Sequence, residues 1–175
     1  MEIKENPARK SSLKLDACIR RQAKLKEIAM AVATQAMTDE QRKSVALEYL
    51  KRLDRGDDIF DLFADDVQFF FPKYGVVDGV EAVKSVFAST AAIIAAVRHD
   101  YAYFNYVQQG DMVVVEGTSS GRTTNGREWR AGVTHAGRWC DVFEIRDFKI
   151  QRLFIYLDPD YGDEDTARYP WLTKK

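Results

Sequence analysis

Among the residues able to do chemistry, one carboxylate stands apart. Over residues 138–145 the sequence RWCDVFEI places Trp139, Asp141, Phe143 and Ile145 on one face of a strand. Arg138, Cys140, Val142 and Glu144 fall on the other face, because strand side chains alternate with a period of two. An ionised carboxylate among Trp, Phe and Ile must find a partner, accept hydrogen bonds or keep its proton. A carboxyl that stays protonated near neutral pH can act as a general acid or hydrogen-bond donor. An Asp bonded to a loop, or paired with an Arg at a rim, is the structural alternative at this position. Tyr49 is the natural companion, on the inner face of a predicted helix marked by Ala46, Tyr49, Leu50 and Leu53. It equally suits a core tyrosine with its hydroxyl at the edge. His99 and His135 are the two candidates for moving a proton at neutral pH. His99 also reads as a polar residue at the start of a strand. His135 shares odd parity with Asp141, and a bulge at Gly137 would reverse its direction. Trp139, Phe143, Phe63, Phe71, Phe87, Leu153 and Ile155 are the expected walls of a substrate pocket.

The elements that must position these residues read as an α+β plan. Thr38-Asp-Glu-Gln41 has the form of a capping box, and Gly56 supplies a left-handed stop, predicting a helix between them. Ile59, Phe60, Leu62 and Phe63 predict a short second helix, and Val67-Gln-Phe-Phe-Phe71 a strand ending at Pro72. A third helix is expected over 80–96. A four-stranded antiparallel meander follows over 98–107, 112–121, 127–145 and 150–157. Asn125-Gly126 marks one hairpin, and Gly132 and Gly137 are bend points in the long third strand. A bent sheet wrapped around helices leaves a concavity in which a ligand can sit. A further helix with a weak apolar stripe fits residues 13–32, and the aromatic tail carrying Tyr161, Tyr169 and Trp171 is expected to pack.

Composition narrows the function classes. Hydrophobic residues at 46% with charged residues at 30% describe a packed domain rather than a disordered chain. The net charge of −1, with acids and bases interspersed, leaves no basic stripe for a phosphate backbone, so nucleic acid is not an expected partner. Cys18 and Cys140 stand far apart with no ligand cluster around them, which argues against a disulfide framework and a structural zinc site; no metal or organic cofactor is expected. The weakly polar run 91–97 is far too short to span a bilayer, so no membrane partner is expected. Residues 1–36 mix bases with acids and show no apolar segment followed by a cleavage site, which argues against a secretory signal and points to a cytoplasmic location, a transit peptide being the weaker alternative. Met37-Thr-Asp reads like a start, giving an extension over 1–37, a domain over 38–158 and a tail over 159–175.

Several segments together resemble a known family. Residues 48–57 (EYLKRLDRGD), 62–67 (LFADDV) and the Pro72…Gly79 spacing are similar to the opening of the nuclear transport factor 2-like superfamily. Residues 138–147 (RWCDVFEIRD), Lys149-Ile150 and Ile155-Tyr-Leu-Asp158 are similar to its closing strands. Within it the chain most resembles the SnoaL-like polyketide cyclases and the ketosteroid isomerases. The resemblance implies a cone-shaped, curved mixed or antiparallel sheet wrapped around three N-terminal helices, the cystatin-like plan. It also implies a homodimer formed through the outer sheet face near Cys140, Val142 and Phe154. The isomerase pattern puts its oxyanion-hole tyrosine at Tyr49 and its protonated acid at Asp141. Its proton-shuttling Asp has Phe71 in its place, and the cyclases' histidine has Ser119. His99 resembles in position a pocket histidine of scytalone dehydratase. Ile155 replaces a carboxylate required by limonene epoxide hydrolase. What the resemblance implies is an enzyme acting on a small cyclic or polyketide-like carbonyl compound by isomerisation, cyclisation or dehydration. A ligand-binding or dimerisation module of the same fold is the alternative.

Overall fold

Thr38 starts helix α1 (Asp39–Arg55) with a complete capping box. Its Oγ1 accepts from Gln41 N at 3.2 Å, and Gln41 Oε1 accepts from Thr38 N at 2.8 Å. Gly56, at φ 72°, stops the helix in the left-handed conformation. The structure, a computed structural model, describes residues 37–162, 164–169 and 171, together with 21, 22 and 24. The chain divides into two units, Met1–Ala36 and Met37–Lys175. In the first, Arg21, Gln22 and Lys24 are helical, and the rest of the helix expected over 13–32 lies outside the described residues.

The second unit carries helices α1 and α2 (Val80–Ala91) and eight strands: β1 (Phe63–Phe71), β2 (Gly75–Asp78), β3 (Ile94–His99), β4 (Asn105–Gln109), β5 (Met112–Thr123), β6 (Glu128–Arg130), β7 (Arg138–Arg146) and β8 (Lys149–Leu157). The sheet order is β2-β1-β8-β7-β5-β3, with β4 and β6 also paired to β5. Every pairing is antiparallel except β1 with β8, so the sheet is mixed. α1 buries Ala46, Tyr49 and Leu50, and α2 buries Val83 and Val86, together with Phe69, Val113, Val115, Phe143, Ile145, Ile150 and Leu153 of the sheet. Each fully buried Leu or Phe in such a cluster contributes about 1.5–3 kcal/mol. Arg42 ties the start of α1 to the sheet. Its guanidinium donates to Met37 O at 2.6 Å, Asp111 Oδ1 at 2.6 Å and Ile145 O at 3.3 Å.

Three expectations change. The second helix is a single 3-10 turn, Phe60–Leu62, because Phe63 is drawn into β1 opposite Ile150. The third expected helix ends at Ala91; Ile94–His99 instead pairs with residues 119–123 of β5, where β-branched Ile94 and Val97 suit a strand. Two helices therefore lie against the sheet among the described residues of this unit, not three. The strands expected over 98–107 and 127–145 are each broken in two. A turn at Tyr101–Tyr103 separates β3 from β4, and the loop 131–137 separates β6 from β7. Both breaks face the same stretch of β5, residues 117–119. Gly117 sits in that stretch, packed under two rings. A Cβ there would lie 2.5 Å from Trp139 Cζ2 and 2.9 Å from Phe104 Cδ1, so those two rings occupy the room a side chain would need.

Candidate functional site

The concave side of the sheet and the two helices enclose a cavity of about 220 Å³. Asp141 lines it from β7. Its strand reads exposed and buried in alternation, with Trp139, Asp141, Phe143 and Ile145 all buried, as the period-two pattern requires. Its cross-strand partners are Val115 on β5 and Ile155 on β8, so apolar chains flank it on both sides. Asp141 is 3% exposed, and among the described residues no hydrogen bond or ion pair reaches its carboxyl. Burial pushes its pKa up to about 8, so it holds its proton through most of the neutral range.

Tyr49 reaches the cavity from α1, wedged edge-on between Phe63 at 5.9 Å and Phe143 at 5.6 Å. Its hydroxyl is buried without a partner among the described residues. Burial, then the neighbouring Asp141 and Tyr161, raise its pKa well above the ordinary value, so the phenol is a donor at any working pH. This unpaired acid and phenol belong to a cavity lined also by Trp129 and Trp139, whose indole nitrogens are buried without a partner among the described residues.

His99, at the end of β3, lines the same cavity and meets the Trp139 ring edge-on at 5.1 Å. Its Nδ1 lies 2.6 Å from Asp54 Oδ1, and its backbone N–H donates to Asp54 Oδ2 at 3.0 Å. The Tyr101 hydroxyl donates to the same carboxylate at 2.7 Å. Burial alone would raise the Asp54 pKa. The His99 hydrogen bond and charge, the Tyr101 hydroxyl and the His99 N–H outweigh it and hold Asp54 below the usual carboxylate range. An ionised Asp54 can only accept, so the Nδ1–H of His99 donates to it.

The remaining residues named from sequence divide cleanly. Trp139, Phe71, Phe87 and Ile155 line the cavity. Phe63, Phe143 and Leu153 lie in the core behind it, fully or almost fully buried. His135 stands in the loop 131–137 and is not among the lining residues: that loop interrupts the strand whose parity would have aimed it inward, and Gly137, at φ 105°, redirects the chain. Ser119 lines the cavity, its hydroxyl 3.5 Å from Gly137 O. Among the described residues, no group of three or more His, Cys, Asp or Glu side chains is placed to hold a metal ion.

Thr90, Ile94, Val97, Arg138 and Leu157 also line the cavity, and neither they nor Asp54, Trp129 and Tyr161 were expected at the site from sequence. Asp54 lies four residues beyond Leu50 and eight beyond Ala46, on the buried face of α1, a spacing that could have marked it. Trp129 belongs to the three-residue strand β6, too short for any periodicity. Tyr161 comes from the tail beyond β8 and carries no pattern at all.

The comparisons with known proteins agree with this architecture. An SnoaL-like domain model matches residues 46–153. An NTF2-like protein from Burkholderia pseudomallei superposes with a TM-score of 0.59 at 18% identity, over 75% of this chain and 97% of that one. TerC, co-crystallised with polyporic acid, gives 0.57 at 19% identity over 77% and 99%. A candidate polyketide cyclase from Xanthomonas campestris gives 0.57 at 17% identity over 68% and 91%. Among the curated proteins none matches. Among the described residues no helix is long and apolar enough to cross a membrane. With more than half its length matched, the chain belongs to the SnoaL-like domain family, and it shares its fold with the NTF2-like proteins.

Proposed function

We propose that the protein is an enzyme that enolises a small, largely apolar cyclic carbonyl compound, its own side chains serving as acid and base. One observation carries this reading: the Asp141 carboxyl, buried and unpaired among the described residues, lines an apolar cavity beside the unpaired hydroxyl of Tyr49. A protonated carboxyl and a phenol are the donors that a carbonyl oxygen needs as it gains negative charge. His99, with Nδ1 held by Asp54, offers Nε2 as the base for the carbon next to that carbonyl. Proton removal at carbon by His99, which becomes an imidazolium, forms an enolate whose oxygen accepts hydrogen bonds from Asp141 and Tyr49. Isomerisation, cyclisation and loss of water all pass through that species. A positioned acid or base contributes about 10²–10⁴-fold each.

A second reading is a binding module that uses the same hollow. It is favoured by Phe71, which lines the cavity at the position where ketosteroid isomerases carry their base. Exchange of the α-hydrogens of trans-1-decalone in D₂O, followed by NMR, separates the two. The enzyme reading expects exchange accelerated by the protein and slowed at least about a hundredfold in Asp141→Asn, with decalone affinity retained. Binding without any exchange would leave the module. We also place a dimer contact on the outer sheet face, where Val107 and Tyr156 are exposed and Cys140, Val142 and Phe154 are half-buried. A reducing, cytoplasmic setting suits the free Cys140.

A further inference from the structure

Tyr101 lies in the 3-10 turn Tyr101–Tyr103 that parts β3 from β4. Its hydroxyl donates to Asp54 Oδ2 at 2.7 Å, with Leu50 O at 3.4 Å as a second, longer acceptor. Asp54 Oδ2 also accepts the His99 backbone N–H at 3.0 Å, and Oδ1 accepts the His99 ring N–H at 2.6 Å. Donors from residues 99 and 101 thus converge on one carboxylate near the end of α1. The Asp54 side chain is only 14% exposed, so water competes little for those oxygens.

Aromatic contacts close the circuit on the other side. The Tyr101 ring meets Phe104 at 5.1 Å, Phe104 meets Trp139 edge-on at 5.1 Å, and Trp139 meets the His99 ring edge-on at 5.1 Å. The imidazole is therefore held between the Trp139 ring and the Asp54 carboxylate. Packing on Phe104 needs only the ring of residue 101, and a Phe would supply it. The hydroxyl has its own use. Burial works against an ionised Asp54, and the Tyr101 bond is one of those that offset it. A bond from outside the histidine also stops the carboxylate and the imidazole from turning together.

We infer that Tyr101 is a positioning residue for His99: its hydroxyl fixes the Asp54 carboxylate, and Asp54 in turn fixes the imidazole that faces the cavity. His99 lines the cavity, whereas Tyr101 and Asp54 do not, so Tyr101 acts through Asp54 and not on the ligand. A carboxylate bonded to Nδ1–H holds a catalytic imidazole in one tautomer and one orientation. The same inference gives the strand break after β3 a purpose, because the turn there carries the Tyr101 hydroxyl onto α1. This role rests on the reading of His99 as the base, and it adds a residue outside the cavity on which that base depends.

The test is Tyr101→Phe in the full chain, which keeps the ring on Phe104 and removes one oxygen. At saturating trans-1-decalone, α-hydrogen exchange in D₂O should slow about tenfold, the worth of one hydrogen bond to a charged group, with decalone affinity within about twofold. Tyr103→Phe, in the same turn and 68% exposed, is the control and should keep the rate within about twofold. A second readout needs no ketone. The His99 Nδ1 proton, in its 2.6 Å bond to Asp54, should give a downfield ¹H resonance in the wild type, assigned by its loss in Asp54→Asn. In Tyr101→Phe that resonance should move upfield and broaden. An undiminished exchange rate, a loss of decalone affinity, or a slower rate with the His99 resonance unmoved overturns the positioning role and leaves the enolisation reading standing. A wild type that binds decalone without exchanging it overturns the enolisation reading, and the positioning role falls with it.

Discussion

Replacing Asp141 by Asn should change how the stability of the protein responds to pH. In the folded chain the Asp141 carboxyl titrates at about 8, against about 4 in an unfolded chain. Between those values folding takes up a proton, so raising the pH opposes folding. The slope is about −1.4 kcal/mol of unfolding free energy per pH unit, which amounts to about 2.7 kcal/mol lost between pH 5 and pH 7. Below about pH 4 both states are protonated and above about pH 8 both are ionised, so the contribution is flat outside that window. Asn has the shape of the protonated carboxyl and cannot ionise, and other titrating groups cancel when variant and wild type are compared. Urea unfolding at pH 5 and pH 7 on both proteins should therefore give a double difference of about 2.7 kcal/mol, with the variant the more stable at pH 7. Parallel pH responses would refute the reasoning, because they would mean that Asp141 ionises as freely in the folded protein as in water.

Other consequences can be checked with single substitutions. Tyr49→Phe removes a buried hydroxyl that has no partner among the described residues, so unfolding free energy should hold or rise by up to about 1 kcal/mol, while any α-hydrogen exchange falls about 10²-fold. Asp54→Asn keeps the shape of the contact but no longer fixes the His99 proton on Nδ1, and exchange should fall about a hundredfold. Gly117→Ala drives a methyl into Trp139 and Phe104 and should cost about 1–3 kcal/mol by urea unfolding. Phe154→Glu on the outer face should turn a sedimenting dimer into monomers without changing the circular dichroism spectrum; a wild-type monomer would remove the dimer contact from the account.

What could be read from the sequence was whatever local chemistry decides. The capping box at Thr38 and Gln41, the stop at Gly56 and the alternation that buries Asp141 depend on neighbours a few residues away, and each appears in the structure as spaced. The Asn125-Gly126 turn lies between β5 and β6 for the same reason. The strand breaks near residues 100–104 and 131–137 fall opposite the same stretch of β5, a partner distant in sequence, so neighbouring residues do not announce them. Phe63 likewise belongs to a strand because Ile150, distant in sequence, pairs with it. Asp54 reads as one more charge on a charged helix until His99 and Tyr101 arrive from beyond α2. Trp129 and Tyr161 become neighbours only once the tail folds back.

The most direct measurement is a titration of the Asp141 side-chain carbon by ¹³C NMR, assigned by its loss in Asp141→Asn. Our account expects a midpoint at about 8 in the free protein, and a carboxyl that stays protonated to higher pH when decalone is bound. A midpoint near the ordinary value of about 4, unmoved by the ketone, would contradict it.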